Sequence, residues 1–185
     1  MRRALLILAT LLLAATTLQA QESRRQLKNP TLEDLQGRKS TLPHWGRNYL
    51  LVFYVDPDRA NLNKSFTDDM AQNGRIDTPL IRPIGVINLK DAPKIPRDLA
   101  YAMAEKRNEE SRVTILVDDS HTLATEWGLG DCNNQFALVV VNLSGEAIFT
   151  RKGILSQGDI EAFYRVVEQI KGGKTTSLGQ GSAHL

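Results

Sequence analysis

Asn48-Tyr49-Leu50-Leu51-Val52-Phe53-Tyr54-Val55 runs directly into Asp56-Pro57-Asp58-Arg59-Ala60-Asn61. An unbroken apolar run of this length, bounded by polar residues, is the pattern of a strand buried on both faces. Leu62, Phe66 and Met70 then recur every four residues, which is one face of a helix, and Gly74 supplies its stop. A buried strand, a polar turn and an amphipathic helix therefore open an α/β unit at residue 49.

The rest of the chain repeats the theme. Apolar runs at residues 83–89, 113–117, 136–141 and 146–150 read as four further strands, the last two joined by the turn residues Asn142-Leu143-Ser144-Gly145. Pro96 opens a second helix with Leu99, Ala102, Met103 and Lys106 as its spaced residues. A short helix at 122–127 ends at Gly128. Ser156, with Asp159 three residues on, caps a last helix whose stripe is Ile160, Phe163, Val167 and Ile170, and Gly172-Gly173 closes it. Upstream, Gln36-Gly37 sits between short apolar patches and predicts a hairpin over 32–42. Alternating strands and helices require parallel pairing, and the late hairpin adds antiparallel strands. The expected fold class is α/β, a mixed central sheet with helices on both faces.

Arg2-Arg3, the apolar run 4–15 and Leu18-Gln19-Ala20 read as a signal peptide over residues 1–20, too short in its apolar part to span a bilayer. Residues 21–29 are expected to be a flexible arm, 30–171 the folded domain and 172–185 a disordered tail. Export places the chain in the periplasm or outside the cell, with no stable membrane span after cleavage. Loss of Arg2 and Arg3 with the leader leaves 21 basic and 21 acidic residues, and no dense basic run remains to hold nucleic acid. Cys132 is the single cysteine, so no intrachain disulfide can form and packing alone must hold the domain.

The element order, with Asp34-Leu35-Gln36-Gly37-Arg38, Ile115-Leu116-Val117-Asp118, Glu126-Trp127-Gly128-Leu129, Val140-Val141-Asn142-Leu143-Ser144-Gly145-Glu146 and Gly153-Ile154-Leu155-Ser156, resembles the thioredoxin-like superfamily over roughly residues 30–171. Its exported TlpA-like and peroxiredoxin-like branches, and the periplasmic group typified by YtfJ, are the most similar. The resemblance implies a thioredoxin-like fold. It places the family's paired cysteines at Asp58 and Asn61 and its cis-proline next to Phe136, where no proline stands. Disulfide exchange needs a thiolate nucleophile and a second sulfur, and a carboxylate and an amide supply neither.

Asp56, Asp58, Arg59 and Asn61 lie at the carboxyl end of a central strand, where open α/β sheets bind ligands. Asp58 and Asn61 also suit a helix N-cap. In the resembling fold, the loop holding Asp131, Cys132 and Phe136 faces this turn, so the two loops are the expected halves of a groove. Cys132 reads either as an inert loop residue, since Asp131 beside it disfavours the thiolate, or as a lone nucleophile. Asp68-Asp69, Asp118-Asp119 and the scattered His44, His121 and His184 form no metal-binding spacing, and no glycine fingerprint calls for a cofactor. The expectation is an exported, non-redox protein that binds an envelope or extracellular protein, or a small ligand, without cofactor or metal. The alternative is a thiol oxidoreductase using Cys132.

Overall fold

The decisive strand is β4, Tyr49–Val55, and the chain is built outward from it. The computed structural model describes residues 25–92, 95–111 and 113–173. The expected leader and most of the expected tail lie outside them. The other strands are β1 Arg25–Gln26, β2 Thr31–Glu33, β3 Lys39–Thr41, β5 Ile81–Asn88, β6 Thr114–Asp118, β7 Phe136–Val141 and β8 Glu146–Lys152. The helices are α1 Lys64–Gln72, α2 Arg97–Ser111, α3 Thr122–Glu126 and α4 Gln157–Lys171, and a single 3₁₀ turn spans Pro57–Arg59.

All eight strands join one sheet in the order β1-β8-β7-β4-β5-β6-β2-β3. β4 pairs in parallel with β5 and antiparallel with β7, and β5 pairs in parallel with β6. The expected mixed sheet is present. The segment expected to be a flexible arm contributes its residues 25 and 26 as β1, docked on β8, and Leu27 behind it is buried with its N–H on the Gly145 carbonyl. The hairpin over 32–42 closes through Asp34, whose N–H and C=O bond Arg38 and Gly37, and Gly37 adopts φ +74°, the left-handed value that a residue without Cβ accepts freely.

Alternation sorts the strand side chains into two cores. Leu51, Leu138 and Val140 face α1 and α4, where Phe66, Met70, Phe149, Phe163 and Val167 fill the layer. Phe163 meets Phe66 edge-on at 5.4 Å between ring centroids. Leu50, Val52, Tyr54, Ile84, Val86 and Leu116 face the other way, onto α3 and the segment through Leu27 and Leu42. α4 begins with the expected capping box: Ser156 Oγ accepts from the Asp159 N–H, and the Asp159 carboxylate accepts from the Ser156 N–H.

α2 departs from expectation. Among its described side chains Ala100 and Ala104 are buried, Ala104 packing with Ile115 and Val117, while Leu99 and Met103 are 52% and 56% exposed. Two alanines let the helix lie close on the sheet and rotate the larger residues outward. The spacing identified the helix and misassigned its inner face.

Candidate functional site

The parity of three strands builds the site. Val55, Ile87 and Val117 are the last apolar residues of β4, β5 and β6, and a polar residue follows or ends each: Asp56, Asn88 and Asp118. Asn88 pairs with Asp118 across β5 and β6, and period two puts all three on the face of Tyr54. They are the buried polar residues among those described, each at most 1% exposed. Burial of three such groups is tolerable only where hydrogen bonds replace water.

Asp118 accepts from four donors: Tyr54 Oη at 3.1 Å, the Leu123 N–H at 2.9 Å, the Thr122 N–H at 2.8 Å and the Ser120 N–H at 3.3 Å. It thereby holds the turn into α3. Burial, and then the adjacent Asp118 carboxylate, pushes the Tyr54 phenol far above its ordinary range, so it stays a donor.

Asp56 clamps two loops. One carboxylate oxygen accepts from the Asp58 N–H at 2.8 Å, capping the 3₁₀ turn, and the other accepts from the Asn134 N–H at 2.6 Å. The Asp56 N–H returns a bond to the Gln135 carbonyl at 3.2 Å. Arg59 Nε adds a side-chain bond to Asn134 Oδ1 at 3.3 Å. The two loops expected to flank a groove are thus stitched together beneath their tips. The cap reading also shifts: Asp56, rather than Asp58 or Asn61, caps the turn. Asn63 precedes α1 in a left-handed conformation and bonds Gly153 O and the Leu155 N–H instead.

The candidate residues divide into two layers. Asp58, Arg59, Asn61 and Asp131 are exposed and form an outer rim. Asp56, Cys132 and Phe136 are buried beneath it. Lys152 braces the rim, donating to the carbonyls of Leu129 and Asp131 at 3.0 and 2.8 Å. The peptide bond before Phe136 is trans, since no cis bond occurs among the described residues. Two concavities lie away from this turn: a shallow one of about 640 Å³ against α4, near Arg75 and Tyr164, and one of about 290 Å³ beside Gly37 and Tyr101.

Cys132 is 3% exposed and packs in the core layer with Tyr54 and Trp127. Burial pushes its thiol up; Lys152 opposes this, and Asp131, Asp91 and Asp118 reinforce it. A buried thiol held protonated is a poor nucleophile. Labelling of the native protein with a neutral thiol reagent at pH 7 is expected to be at least tenfold slower than labelling in denaturant, read by mass spectrometry. Equal rates would show a thiol that is accessible in the folded protein.

By sequence, Asn88 and Tyr54 read as parts of buried strands and Asp118-Asp119 as a pair without metal-binding spacing. The signal missed there was available: the polar residue closing each of three successive buried strands falls on the same parity. Among the described residues no group of three or more His, Cys, Asp or Glu side chains is arranged to hold a metal ion, and no helix is long and apolar enough to cross a membrane.

A central β4 flanked by one parallel and one antiparallel neighbour, with a polar turn and helix at its carboxyl end, defines a thioredoxin-like fold, and solved structures agree. A Neisseria meningitidis protein assigned to the thioredoxins is similar with a TM-score of 0.58 at 15% identity, over 86% of this chain and 98% of that one. The exposed lipoprotein thioredoxin of Streptococcus pneumoniae gives 0.55 at 12% identity, over 75% and 99%. A thiol-disulfide oxidoreductase of Bacteroides fragilis gives 0.54 at 14%, over 77% and 99%. These likenesses establish the fold. No protein-family model matches the chain, and no curated protein matches it in sequence.

Proposed function

We propose that this is an exported thioredoxin-fold protein that has exchanged disulfide chemistry for binding, with Asp58, Arg59, Asn61 and Asp131 as the contact rim. The observation that carries the reading is the division of the strand-to-helix turn. Its exposed positions hold a carboxylate, a guanidinium and an amide. The chain's one thiol, Cys132, is buried with its thiolate disfavoured. Charged and amide groups on a braced rim suit a polar protein surface or a small polar ligand in the envelope or extracellular space. The N-terminal signal pattern supports export, and the likeness to an exposed lipoprotein thioredoxin is in keeping with it.

Two measurements test the reading. Insulin reduction and peroxide consumption by the wild type and Cys132→Ser are both expected to equal the uncatalysed rate. Activity lost in Cys132→Ser would instead establish the thiol oxidoreductase reading. The paired change Asp58→Ala/Arg59→Ala is expected to shift stability by less than about 0.5 kcal/mol, as exposed positions do. The same change is expected to abolish retention of partners from the exported fraction on the immobilised protein. Retention identical to wild type would remove the rim from the binding role.

A further inference from the structure

Behind the rim, side chains from the ends of β5 and β6 meet at one carboxylate oxygen. Asp91 Oδ2 is 2.7 Å from Asn88 Nδ2 and 2.9 Å from His121 Nε2. The first contact is a hydrogen bond. The second has hydrogen-bond distance without hydrogen-bond direction: His121 Nε2 is a buried atom with no hydrogen-bond partner, despite the carboxylate beside it. Asn88 Oδ1 is the other buried side-chain atom among the described residues that lacks one, on a side chain with no exposure at all. An unpaired acceptor such as Asn88 Oδ1 in a native interior points to an ion or an ordered water.

A nitrogen and an oxygen this close, and poorly aligned for a hydrogen bond, stand at the spacing of an ion pair and also near that of two ligands of one ion. With metal–ligand distances of about 2.1 Å, a separation of 2.9 Å subtends about 90° at the metal. The pair need open by only about 0.5 Å to reach the spacing of about 3.4 Å that tetrahedral ligands of Zn²⁺ take. The local field favours a cation, because Asp56 and Asp118 are buried at the same sheet edge. Asp91 lies near enough to both Cys132 and Asp56 to act on them electrostatically. His121 is 38% exposed and Asp91 15%, so the pair can be reached from solvent.

We propose that His121 Nε2 and the Asp91 carboxylate, with Asn88 Oδ1 as a third donor, form a binding site for a first-row divalent metal ion such as Zn²⁺ or Co²⁺. An imidazole, a carboxylate and an amide oxygen suit this class, and waters complete the coordination. Two charged or imidazole ligands make the site exchangeable, in contrast to a closed structural centre with four. It is independent of the rim proposed for partner binding.

The test is a titration of the tag-free protein with Zn²⁺, following the imidazole nitrogen resonances. The expected result is one ion per chain, with the His121 Nε2 resonance moving and those of His44 and His184 unmoved. His121→Gly, which keeps the left-handed backbone at φ +60° without strain, and Asp91→Asn are each expected to weaken binding at least tenfold. His44→Ala is expected to leave it unchanged. A His121 resonance insensitive to Zn²⁺ would overturn the site and leave a histidine–aspartate ion pair beside a buried water. Equal affinity in His121→Gly would overturn it as well, as adventitious binding. Should either variant fail to fold, the resonances of the wild type decide alone.

Discussion

Asp118→Ala is expected to destabilise the protein by about 3–5 kcal/mol, a large share of the stability of a domain this size. The carboxylate at the end of β6 is 1% exposed and receives Tyr54 Oη and three backbone N–H groups. Truncation leaves those donors in the interior with no acceptor, and each buried orphan costs about 1–3 kcal/mol before water enters the space. The turn that starts α3 would lose its anchor, and Leu123 and Trp127 depend on that helix for their burial. Urea denaturation is the measurement. Tyr54→Phe is the control that separates the partners: it removes one donor together with its bond and is expected to cost about 1 kcal/mol. Comparable losses for the two variants would mean that Asp118 acts through Tyr54 alone.

Asp56→Ala is expected to cost about 2–4 kcal/mol, because the Asp58 and Asn134 N–H groups both lose their acceptor. Asp58→Ala, two residues away and exposed, is expected to cost almost nothing. This contrast reads the two layers of the turn directly. Asn at position 56 is expected to recover only part of the loss, since its amide NH₂ would face one of the two N–H donors. The clamp also carries a pH dependence of definite sign. Burial, the larger effect, raises the Asp56 carboxyl above its ordinary value, against the two N–H bonds that lower it. A raised carboxyl costs the folded state more to ionise than the unfolded one. Its contribution to stability therefore falls as pH rises from the unfolded value through the folded one, and is level above that. Subtracting the stability curve of Asp56→Ala from that of the wild type, between pH 3 and 7, isolates this slope. A difference that grows with pH would mean that the N–H bonds outweigh burial.

Much of the fold was legible in the residues. Tyr49–Val55 and Phe136–Val141 announce themselves by unbroken apolar runs, because a strand covered on both faces has no polar side to show. Ser156 and Asp159 mark the start of α4 because a capping box is a local event. The inner face of α2 was not legible. Leu99 and Met103 obey helical spacing, but which stripe turns inward depends on how near the sheet lies, and Ala100 and Ala104 set that distance. The candidate site was half legible. The turn 56–61 was found from its position at a strand end. The stitching of that turn to residues 134 and 135 was not, because 78 residues separate Asp56 from Asn134.

By itself the sequence determined the strand–helix order, the mixed pairing it requires, and the absence of a second sulfur for disulfide exchange. These follow from local propensity, periodicity and counting. Only the tertiary structure decided that Asp56, Asn88 and Asp118 sink to the same buried edge, that Cys132 lies in the core, and that Asp91 meets His121. Strand parity fixes which face each residue takes. The register between strands distant in sequence fixes which residues become neighbours there, and no local pattern encodes that register.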